Sequence, residues 1–129
     1  WINQDEISID TIKKVIKKAQ LEDLVESLPE GFDTIVGERG VRFSGGEQQR
    51  IGIARALYRD PDVIILDEST SALDIKTEKD LMKSIYNLKK TKTLIIVTHR
   101  LSTIVDCDKI YYLKKGKLIA QNPNNLNYE

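Results

Sequence analysis

The stretch RFSGGEQQRIGIARAL, from Arg42 to Leu57, places two adjacent glycines directly before a run of residues with helical spacing. Ser44 is a good helix-capping residue, and Glu47 follows it at the spacing of a Ser-x-x-Glu capping box. The pattern predicts a helix that begins after Ser44. A capping box has no need of glycine, so Gly45 and Gly46 indicate a further requirement: the close approach of a group from outside the chain to the bare backbone.

The composition limits the classes of function that the chain can have. Among its 129 residues, 20 basic and 20 acidic side chains cancel to a formal net charge of zero. This balance argues against a broad electrostatic partner such as duplex DNA or an anionic membrane surface, and we expect no nucleic acid to bind. No apolar run approaches the roughly 18 residues that a membrane span needs, so the chain itself is expected to be soluble. Cys107 is the only cysteine in the sequence, which excludes an internal disulfide.

The residues up to about position 60 have the pattern of helices joined by loops. Ser8 is a candidate helix cap, and the apolar residues after it recur at three- and four-residue intervals, which is typical of an amphipathic helix. Pro29 and Gly31 end a second, short helix, and glycines punctuate the loop that follows. The predicted elements are a helix with Ile9, Ile12, Ile16 and Ala19 on its apolar face, a short helix from Glu22 to Leu28, a loop from Phe32 to Phe43, and a helix after Ser44 that carries Ile51, Ala54, Leu57 and Tyr58 on one side and ends at Asp60-Pro61.

The second half, from a boundary that we place near Pro61, has the pattern of an α/β fold. Val63 to Leu66 is an unbroken apolar run, which is typical of a parallel strand buried on both faces. A helix that begins near Asp74 and a second strand from Thr93 to Thr98 follow, so a right-handed strand-helix-strand crossover is predicted. Two further apolar segments joined across Lys114 to Gly116 predict a closing hairpin. The apolar face of the helix is formed by Leu81, Met82, Ile85 and Leu88.

The residues that follow the two predicted strands carry reactive groups. In open α/β sheets, ligands bind beyond the carboxyl ends of the strands, where Asp67 and Glu68 follow the first strand and His99 follows the second. Taken singly, an acidic pair often caps the next turn, and a lone histidine is more often structural. Together they favour phosphoryl transfer, because Asp67 can supply a hard oxygen to hydrated Mg²⁺, Glu68 can polarise an attacking water and His99 can donate to a phosphate oxygen.

The glycine pair fits the same chemistry, but one component of such sites is missing. A helix N-terminus presents unpaired amides at the positive end of its dipole, and bare backbone at Gly45 and Gly46 lets a phosphate reach them. However, the sequence contains no G-x-x-x-x-G-K-[ST] motif. Its only Gly-Lys pair, Gly116-Lys117, has Tyr111 where the first glycine belongs and Leu118 where the hydroxyl belongs. The chain therefore cannot hold β- and γ-phosphates by itself.

Four motifs in this order resemble those of the ATP-binding cassette (ABC) ATPases. FSGGEQQR is similar to the family's signature motif, VIILDE from Val63 to Glu68 to its Walker B strand, SALD from Ser71 to Asp74 to its D-loop, and THR around His99 to its switch histidine. The segment LPEGFDTIVGERG, from Leu28 to Gly40, resembles the loop that precedes the signature in exporter-type transporters. In that family this loop faces the coupling helices of the membrane domain, so such a contact is expected through the Glu38-Arg39 loop.

The resemblance implies an α/β fold that is the C-terminal portion of an ATP-binding domain. Residues 1–60 would complete the helical signature subdomain, and residues 61–129 would form the C-terminal part of a P-loop ATPase core, with parallel strands, helices and a closing hairpin. The family's P-loop and Q-loop lie N-terminal to the region present here. The resemblance therefore implies ATPase activity in a full-length exporter, at the cytoplasmic face of the cell (inner) membrane, and none in the isolated chain.

The resemblance also implies roles for individual residues in a head-to-tail dimer of two ATP-binding domains. The usual glutamine after the two glycines is Glu47 here, which is a departure from the family at a position near the nucleotide sugar. The implied ligands of ATP and Mg²⁺ are Ser44 and Gly46 at the γ-phosphate held by the partner domain, with Gly45 beside them, Glu47 near the sugar, Asp67 at Mg²⁺, Glu68 as general base or water-positioning residue, His99 at the γ-phosphate and Asp74 at the dimer seam.

Two other classes of function stay open at this point. A non-transport ABC ATPase of the chromosome-maintenance or DNA-repair type also carries a Ser-Gly-Gly-Glu signature, but a long heptad-patterned arm would precede it, whereas Ile2 to Leu28 shows only short helices. An interaction module that has kept the fold and lost the chemistry is disfavoured by the intact acidic pair and histidine. An isolated piece of such a domain also leaves a sheet edge and an apolar face without their normal cover, so it is prone to oligomerise or to swap elements.

Overall fold

The computed structural model describes residues 7–37 and 40–121. It consists of two units, of which the first ends at Val97 and the second begins at Thr98. The helices and strands confirm the predicted α/β class. In chain order they are α1 (Ile9–Lys18), α2 (Glu22–Ser27), α3 (Gly45–Tyr58), β1 (Val63–Asp67), α4 (Ile75–Tyr86), β2 (Thr93–Val97), β3 (Ile110–Lys114) and β4 (Lys117–Gln121), with short 3₁₀ turns at Gly31–Asp33, Asn87–Lys90 and Leu101–Thr103.

The helices of the first unit begin and end close to the predicted positions. Ser8 caps α1, because its hydroxyl oxygen accepts the backbone N–H of Thr11 at 3.2 Å. The apolar face of α1 differs from the prediction, since Val15 and Ala19 are buried whereas Ile9 is 52% exposed. The two buried residues, Val15 and Ala19, are four positions apart and so lie on one face of the helix. Ile9 precedes them in the first helical turn and is not part of this buried face. On α3, Ile53 is a buried residue that the spacing did not predict.

Strands β1 and β2 pair in parallel, from Val63 opposite Thr93 to Asp67 opposite Val97. This pairing confirms that α4 is part of a crossover between parallel strands. The prediction that β1 is buried on both faces is wrong, because burial alternates along the strand and Ile65 is 66% exposed. Among the described residues, the helices cover one face of the strand pair and leave the other open.

Across the residues that the structure describes, one hydrophobic core holds the first unit together. Most of its buried members lie in α1, α3, β1 and α4 and the rest in the segments beside them, so helices from before position 60 share a core with the strand and helix after it. The division into residues 1–60 and 61–129 stays a prediction about a longer domain. The buried apolar residues are Val15, Ala19, Leu21, Ile53, Ala54, Leu57, Ile64, Leu66, Leu73, Leu81, Met82, Ile85 and Leu88.

The second unit contains the predicted hairpin. Strands β3 and β4 pair antiparallel, from Ile110 opposite Gln121 to Lys114 opposite Lys117. The two loop residues both have positive φ, 48° at Lys115 and 75° at Gly116. Two successive positive φ angles are the geometry of a type I′ turn, whose twist matches that of the flanking strands. Within the described part of the chain, none of the helices has the length and apolar character that crossing a bilayer requires.

Candidate functional site

The start of α3 contains the predicted capping box. The hydroxyl oxygen of Ser44 accepts the backbone N–H of Glu47 at 3.3 Å. In return, Oε2 of Glu47 accepts the backbone N–H of Ser44 at 2.7 Å and its hydroxyl at 2.8 Å. These hydrogen bonds from the backbone and hydroxyl of Ser44, with a smaller contribution from the charge of Arg50, lower the pKa of Glu47. The cap is therefore built around an ionised carboxylate at neutral pH.

The capping box uses only part of the hydrogen-bonding capacity at this helix end. The first four N–H groups of an α-helix have no carbonyl partner within the helix. At α3 these belong to residues 44–47, and the cap satisfies those of Ser44 and Glu47. The amides of Gly45 and Gly46 lie between them, at the positive end of the helix dipole. This arrangement suits an anionic ligand such as a phosphate.

Both glycines also contact the loop that precedes α4. A Cβ atom built on Gly46 would lie 3.0 Å from Cδ2 of Leu73 and 3.1 Å from the carbonyl oxygen of Ala72, and one on Gly45 would lie 3.4 Å from Cβ of Ala72. A side chain at Gly46 would therefore crowd the loop. The close approach that the sequence predicts at Gly46 is made, on this side, by the chain itself. Contact with a group from outside the chain stays a proposal.

Asp67 and Glu68 lie at the carboxyl end of β1, as predicted. Asp67 is the last residue of the strand and is opposite Val97, and both carboxylate residues are exposed. The backbone N–H of Glu68 donates to the carbonyl oxygen of Val97 at 2.9 Å and extends the parallel ladder by one bond. Glu68 has a φ of 45°, in the left-handed region that favours glycine. Such a conformation turns the chain sharply at the strand end, and non-glycine residues held in it are enriched at active sites and ligand-binding turns.

His99 belongs to the second unit, two residues after the end of β2, and is exposed. The backbone on either side of it is held by hydroxyl groups. Oγ1 of Thr98 accepts the backbone N–H of Arg100 at 3.0 Å. Thr103 is buried and donates its hydroxyl to the carbonyl oxygen of Arg100 at 3.0 Å. Two threonines thus brace the turn that carries the histidine.

Asp74, predicted near a dimer seam, is the N-cap of α4. Its Oδ1 accepts the backbone N–H groups of Lys76 at 3.1 Å and Thr77 at 3.0 Å. Hydrogen bonds from the side chain and backbone of Thr77 are the largest cause of a lowered pKa at this carboxyl. The structural role of Asp74 within the chain is therefore to end the loop and begin the helix.

Three further residues of this region escaped the sequence analysis. The side-chain amide of Gln49 forms hydrogen bonds with Ser71 and Ala72. The buried side chains of Thr70 and Glu78 form a hydrogen bond with each other. The sequence does contain a signal for Glu78, because it has the same helical spacing as the apolar residues Leu81, Met82 and Ile85, so it is an acid on the buried face of α4. Gln49 has no comparable signal, since a glutamine in the first turns of a helix is usually solvated.

The carboxylate oxygens at the carboxyl end of β1 are suited to Mg²⁺ that is held by one carboxylate. Within residues 7–37 and 40–121, no group of three or more histidine, cysteine, aspartate and glutamate side chains is arranged to hold a metal ion. Mg²⁺ seldom needs such a cage, because it keeps several waters and binds through one or two carboxylates and the phosphates of its nucleotide. Asp67, an exposed hard-oxygen ligand at the sheet edge, suits that role.

The loop expected to contact a membrane domain is described only in part. Glu38 and Arg39, through which that contact is predicted, lie outside the described residues. On either side of them, Val36 and Val41 form an isolated parallel bridge. Both valines and Phe43 are among the residues that line an open cavity of about 440 Å³.

Comparison with known proteins supports the resemblance. The family model described as ABC transporter matches residues 1–71, which is more than half of the chain. The chain belongs to the ABC transporter family. The family resemblance inferred from the four motifs is thereby confirmed.

Relatives within the ABC transporter family include named exporters. The chain is 49% identical over 124 residues to the ABC multidrug transporter mdr1 of Aspergillus fumigatus, which covers 96% of the chain and 9% of that protein. It is 48% identical to the ATP-dependent lipid A-core flippase of Pseudoalteromonas translucida over 116 aligned residues. This alignment covers 90% of the chain and 20% of the flippase. The structure matches a bacterial Atm1-family ABC exporter with ATP bound, at 43% identity and a TM-score of 0.79, over 89% of the chain and 20% of the exporter chain. The chain thus spans between about a tenth and a fifth of these relatives.

Proposed function

We propose that this chain is the C-terminal part of the ATP-binding and ATP-hydrolysing domain of an exporter-type ABC transporter, which couples ATP-driven dimerisation to substrate export or flipping. The observation that carries the proposal is the start of α3, where the capping box occupies the Ser44 and Glu47 amides and leaves those of Gly45 and Gly46 for an anion. The alternative, a chromosome-maintenance or DNA-repair ATPase, has less support, since the two relatives described above are named as a multidrug transporter and a lipid A-core flippase.

In this proposal, α3 binds a nucleotide that a second ATP-binding domain holds. Two domains pack head to tail, and Ser44 and Gly46 contact the γ-phosphate on the partner's P-loop, with Gly45 beside them. The helix dipole and the glycine amides stabilise the negative charge of the phosphate. Glu47 stabilises the start of α3 as part of the capping box. It lies near the nucleotide sugar, where its carboxylate replaces the family's usual glutamine.

The acidic pair and the histidine act on the nucleotide bound by their own domain. Asp67 would hold Mg²⁺, which would supply positive charge against the negative charge that develops during phosphoryl transfer. Glu68 acts as general base or positions the attacking water. His99 donates to an oxygen of the γ-phosphate. The left-handed backbone at Glu68 supports this assignment, because it turns the residue out of the strand at the sheet edge.

The partners in this proposal are a second ATP-binding domain and a transmembrane domain. Asp74 and the loop before it lie at the seam between the two ATP-binding domains. The Glu38-Arg39 loop contacts the coupling helices, which places the assembly at the cytoplasmic face of the cell (inner) membrane. Closure of the dimer over ATP moves the membrane domains, and hydrolysis resets them. Without these partners the exposed apolar face of β1 and β2 makes the chain prone to oligomerise.

The replacement Glu68→Gln in the full-length transporter tests the proposal. We expect ATP hydrolysis to fall by a factor on the order of 10² to 10⁴, the usual contribution of a general base, while ATP still drives the two domains together. Steady-state ATPase assays measure the first effect, and size-exclusion chromatography of the separated domains with ATP measures the second. Unchanged turnover would remove Glu68 from its assigned role. Turnover lost together with dimerisation would show that the change damages the nucleotide site as a whole.

A further inference from the structure

Gln49 joins the start of α3 to the loop that precedes α4. Its Nε2 donates to Oγ of Ser71 at 3.0 Å, and its Oε1 accepts the backbone N–H of Ala72 at 3.1 Å. One planar amide thus binds two adjacent loop residues, which are 22 and 23 positions away along the chain. Because both ends of the amide are engaged, the contact defines the orientation of the loop as well as its distance from the helix.

The same loop also packs closely against Gly46 at the start of α3. The carbonyl oxygen of Ala72 and the side chain of Leu73 lie so close to Gly46 that a Cβ atom there would be 3.1 Å and 3.0 Å from them. Leu73 is itself buried in the core. Glycine at position 46 thus permits this close approach of the loop to the helix, and the two hydrogen bonds of Gln49 oppose its withdrawal.

The loop is also anchored on α4. Thr70, at the beginning of the loop, donates a hydrogen bond from its hydroxyl to Oε1 of Glu78 at 2.9 Å, and both residues are buried. Asp74, at its end, caps the helix with two hydrogen bonds to backbone N–H groups. Residues 70–74 are therefore tied to α4 at both ends, and the middle of the loop is tied to α3 through Gln49.

We propose that Gln49 is a positioning residue for ATP hydrolysis. It couples the Gly45 and Gly46 amides, which receive the partner's γ-phosphate, to the loop that ends at Asp74 and meets the partner domain. This inference rests on the proposed function, because that function gives both surfaces a partner. Gln49 does not touch the nucleotide. It acts by keeping the helix start and the loop in one relative position, and a misplacement of about 1 Å in such a site costs on the order of a hundredfold in rate.

The test replaces Gln49 by methionine, which has similar length and no amide, in the full-length transporter. Gln48→Met is the matched control, because Gln48 is the adjacent glutamine on α3 and its side chain donates to the carbonyl oxygen of Phe43 at 3.0 Å instead of to the loop. We measure kcat and KM for ATP and the thermal unfolding of each variant. Gln49→Met should lower kcat by about tenfold or more with KM changed by less than about twofold, whereas Gln48→Met should keep the wild-type kcat.

A double-mutant cycle separates positioning from a general structural effect. Ser71→Ala removes the acceptor of one hydrogen bond, so it should lower kcat in the wild-type background and have a much smaller effect in the Gln49→Met background. Gln49→Glu, whose carboxylate accepts both the Ala72 N–H and the Ser71 hydroxyl, should retain most of the activity. This variant keeps the test decisive if Gln49→Met does not fold.

Three outcomes would overturn the role of Gln49: a Gln49→Met transporter with kcat within about twofold of wild type, Gln49 and Ser71 effects that multiply independently, or a Gln49→Glu variant as impaired as Gln49→Met. Failure of the proposed function looks different. In that case the wild-type transporter itself hydrolyses no ATP, whereas failure of the Gln49 inference leaves wild-type hydrolysis intact.

Discussion

Thr70 donates a hydrogen bond from Oγ1 to Oε1 of Glu78 at 2.9 Å, and both side chains are buried. Thr70 follows the acidic pair at the end of β1, and Glu78 lies in the first turn of α4. The bond therefore holds the chain segment between the candidate catalytic acids and the helix that returns to β2. A buried hydrogen bond of this kind is costly to break, because the groups left behind have lost their contact with water.

We predict that Thr70→Val lowers the free energy of unfolding by about 1–3 kcal/mol, the usual cost of removing one partner of a buried hydrogen bond. Valine has nearly the shape of threonine, so the change removes the hydroxyl with little loss of packing. Thr70→Ser is the control, since it keeps the hydroxyl. Urea unfolding of the chain measures both. Equal destabilisation by Val and Ser would show that the methyl group, and not the hydrogen bond, stabilises this position.

Two glycines of α3 should respond to alanine in opposite directions. At Gly46 an added Cβ would be 3.1 Å from the Ala72 carbonyl oxygen, whereas at Gly52 nothing lies within 4 Å of it. Gly46→Ala should therefore destabilise the chain by about 1 kcal/mol through crowding. Gly52→Ala should stabilise it by about 0.5–1 kcal/mol, because alanine loses less backbone entropy in a helix interior. Thermal unfolding measures the pair, and a stabilising Gly46→Ala would mean that the loop moves aside freely.

The capping box should contribute measurably to stability. Ser44→Ala removes the acceptor of the Glu47 N–H and the donor to its carboxylate, and loss of a helix N-cap costs about 1 kcal/mol. Denaturant unfolding at neutral pH checks this value. No change in the unfolding midpoint would mean that water replaces the cap without cost.

The cap should also make stability depend on pH with a definite sign. Hydrogen bonds from Ser44 lower the pKa of Glu47 in the folded chain below its ordinary value of 4.5. The folded state thus favours the ionised carboxylate, so this contribution is fully present above pH 4.5 and is lost as the pH falls through the folded pKa. Glu47→Gln removes the titrating group. The stability difference between wild type and Glu47→Gln should therefore shrink on acidification, and a difference that grows would contradict the assignment.

The 129-residue chain alone should neither bind ATP tightly nor hydrolyse it, because its sequence contains no G-x-x-x-x-G-K-[ST] motif to hold the β- and γ-phosphates. Isothermal titration calorimetry with ATP and Mg²⁺ checks the binding. Micromolar affinity in the isolated chain would contradict the prediction and would require a second phosphate site within these residues. Full-length transporter assayed in parallel provides the positive control.

Local features of this protein could be predicted from the sequence alone. The caps at Ser8 and Ser44 and the hairpin connection across Lys114 to Gly116 were predicted because each depends on residues within a few positions of one another. The parallel pair of β1 and β2 was predicted because two apolar runs separated by a helix allow few other arrangements. The four motifs pointed to the ABC transporter family for a similar reason, since each is short and contiguous.

Only the tertiary structure decided which groups meet across the chain. It showed which face of β1 is open, that the space beside Gly46 is occupied by Ala72 and Leu73, and that Gln49 binds a loop 22 residues away. The physical reason is that hydrophobic spacing indicates which residues avoid water but not which neighbours cover them. Contacts between distant segments depend on how helices and strands pack. The amide of Gln49 binds the loop only because that packing brings the loop within hydrogen-bonding distance.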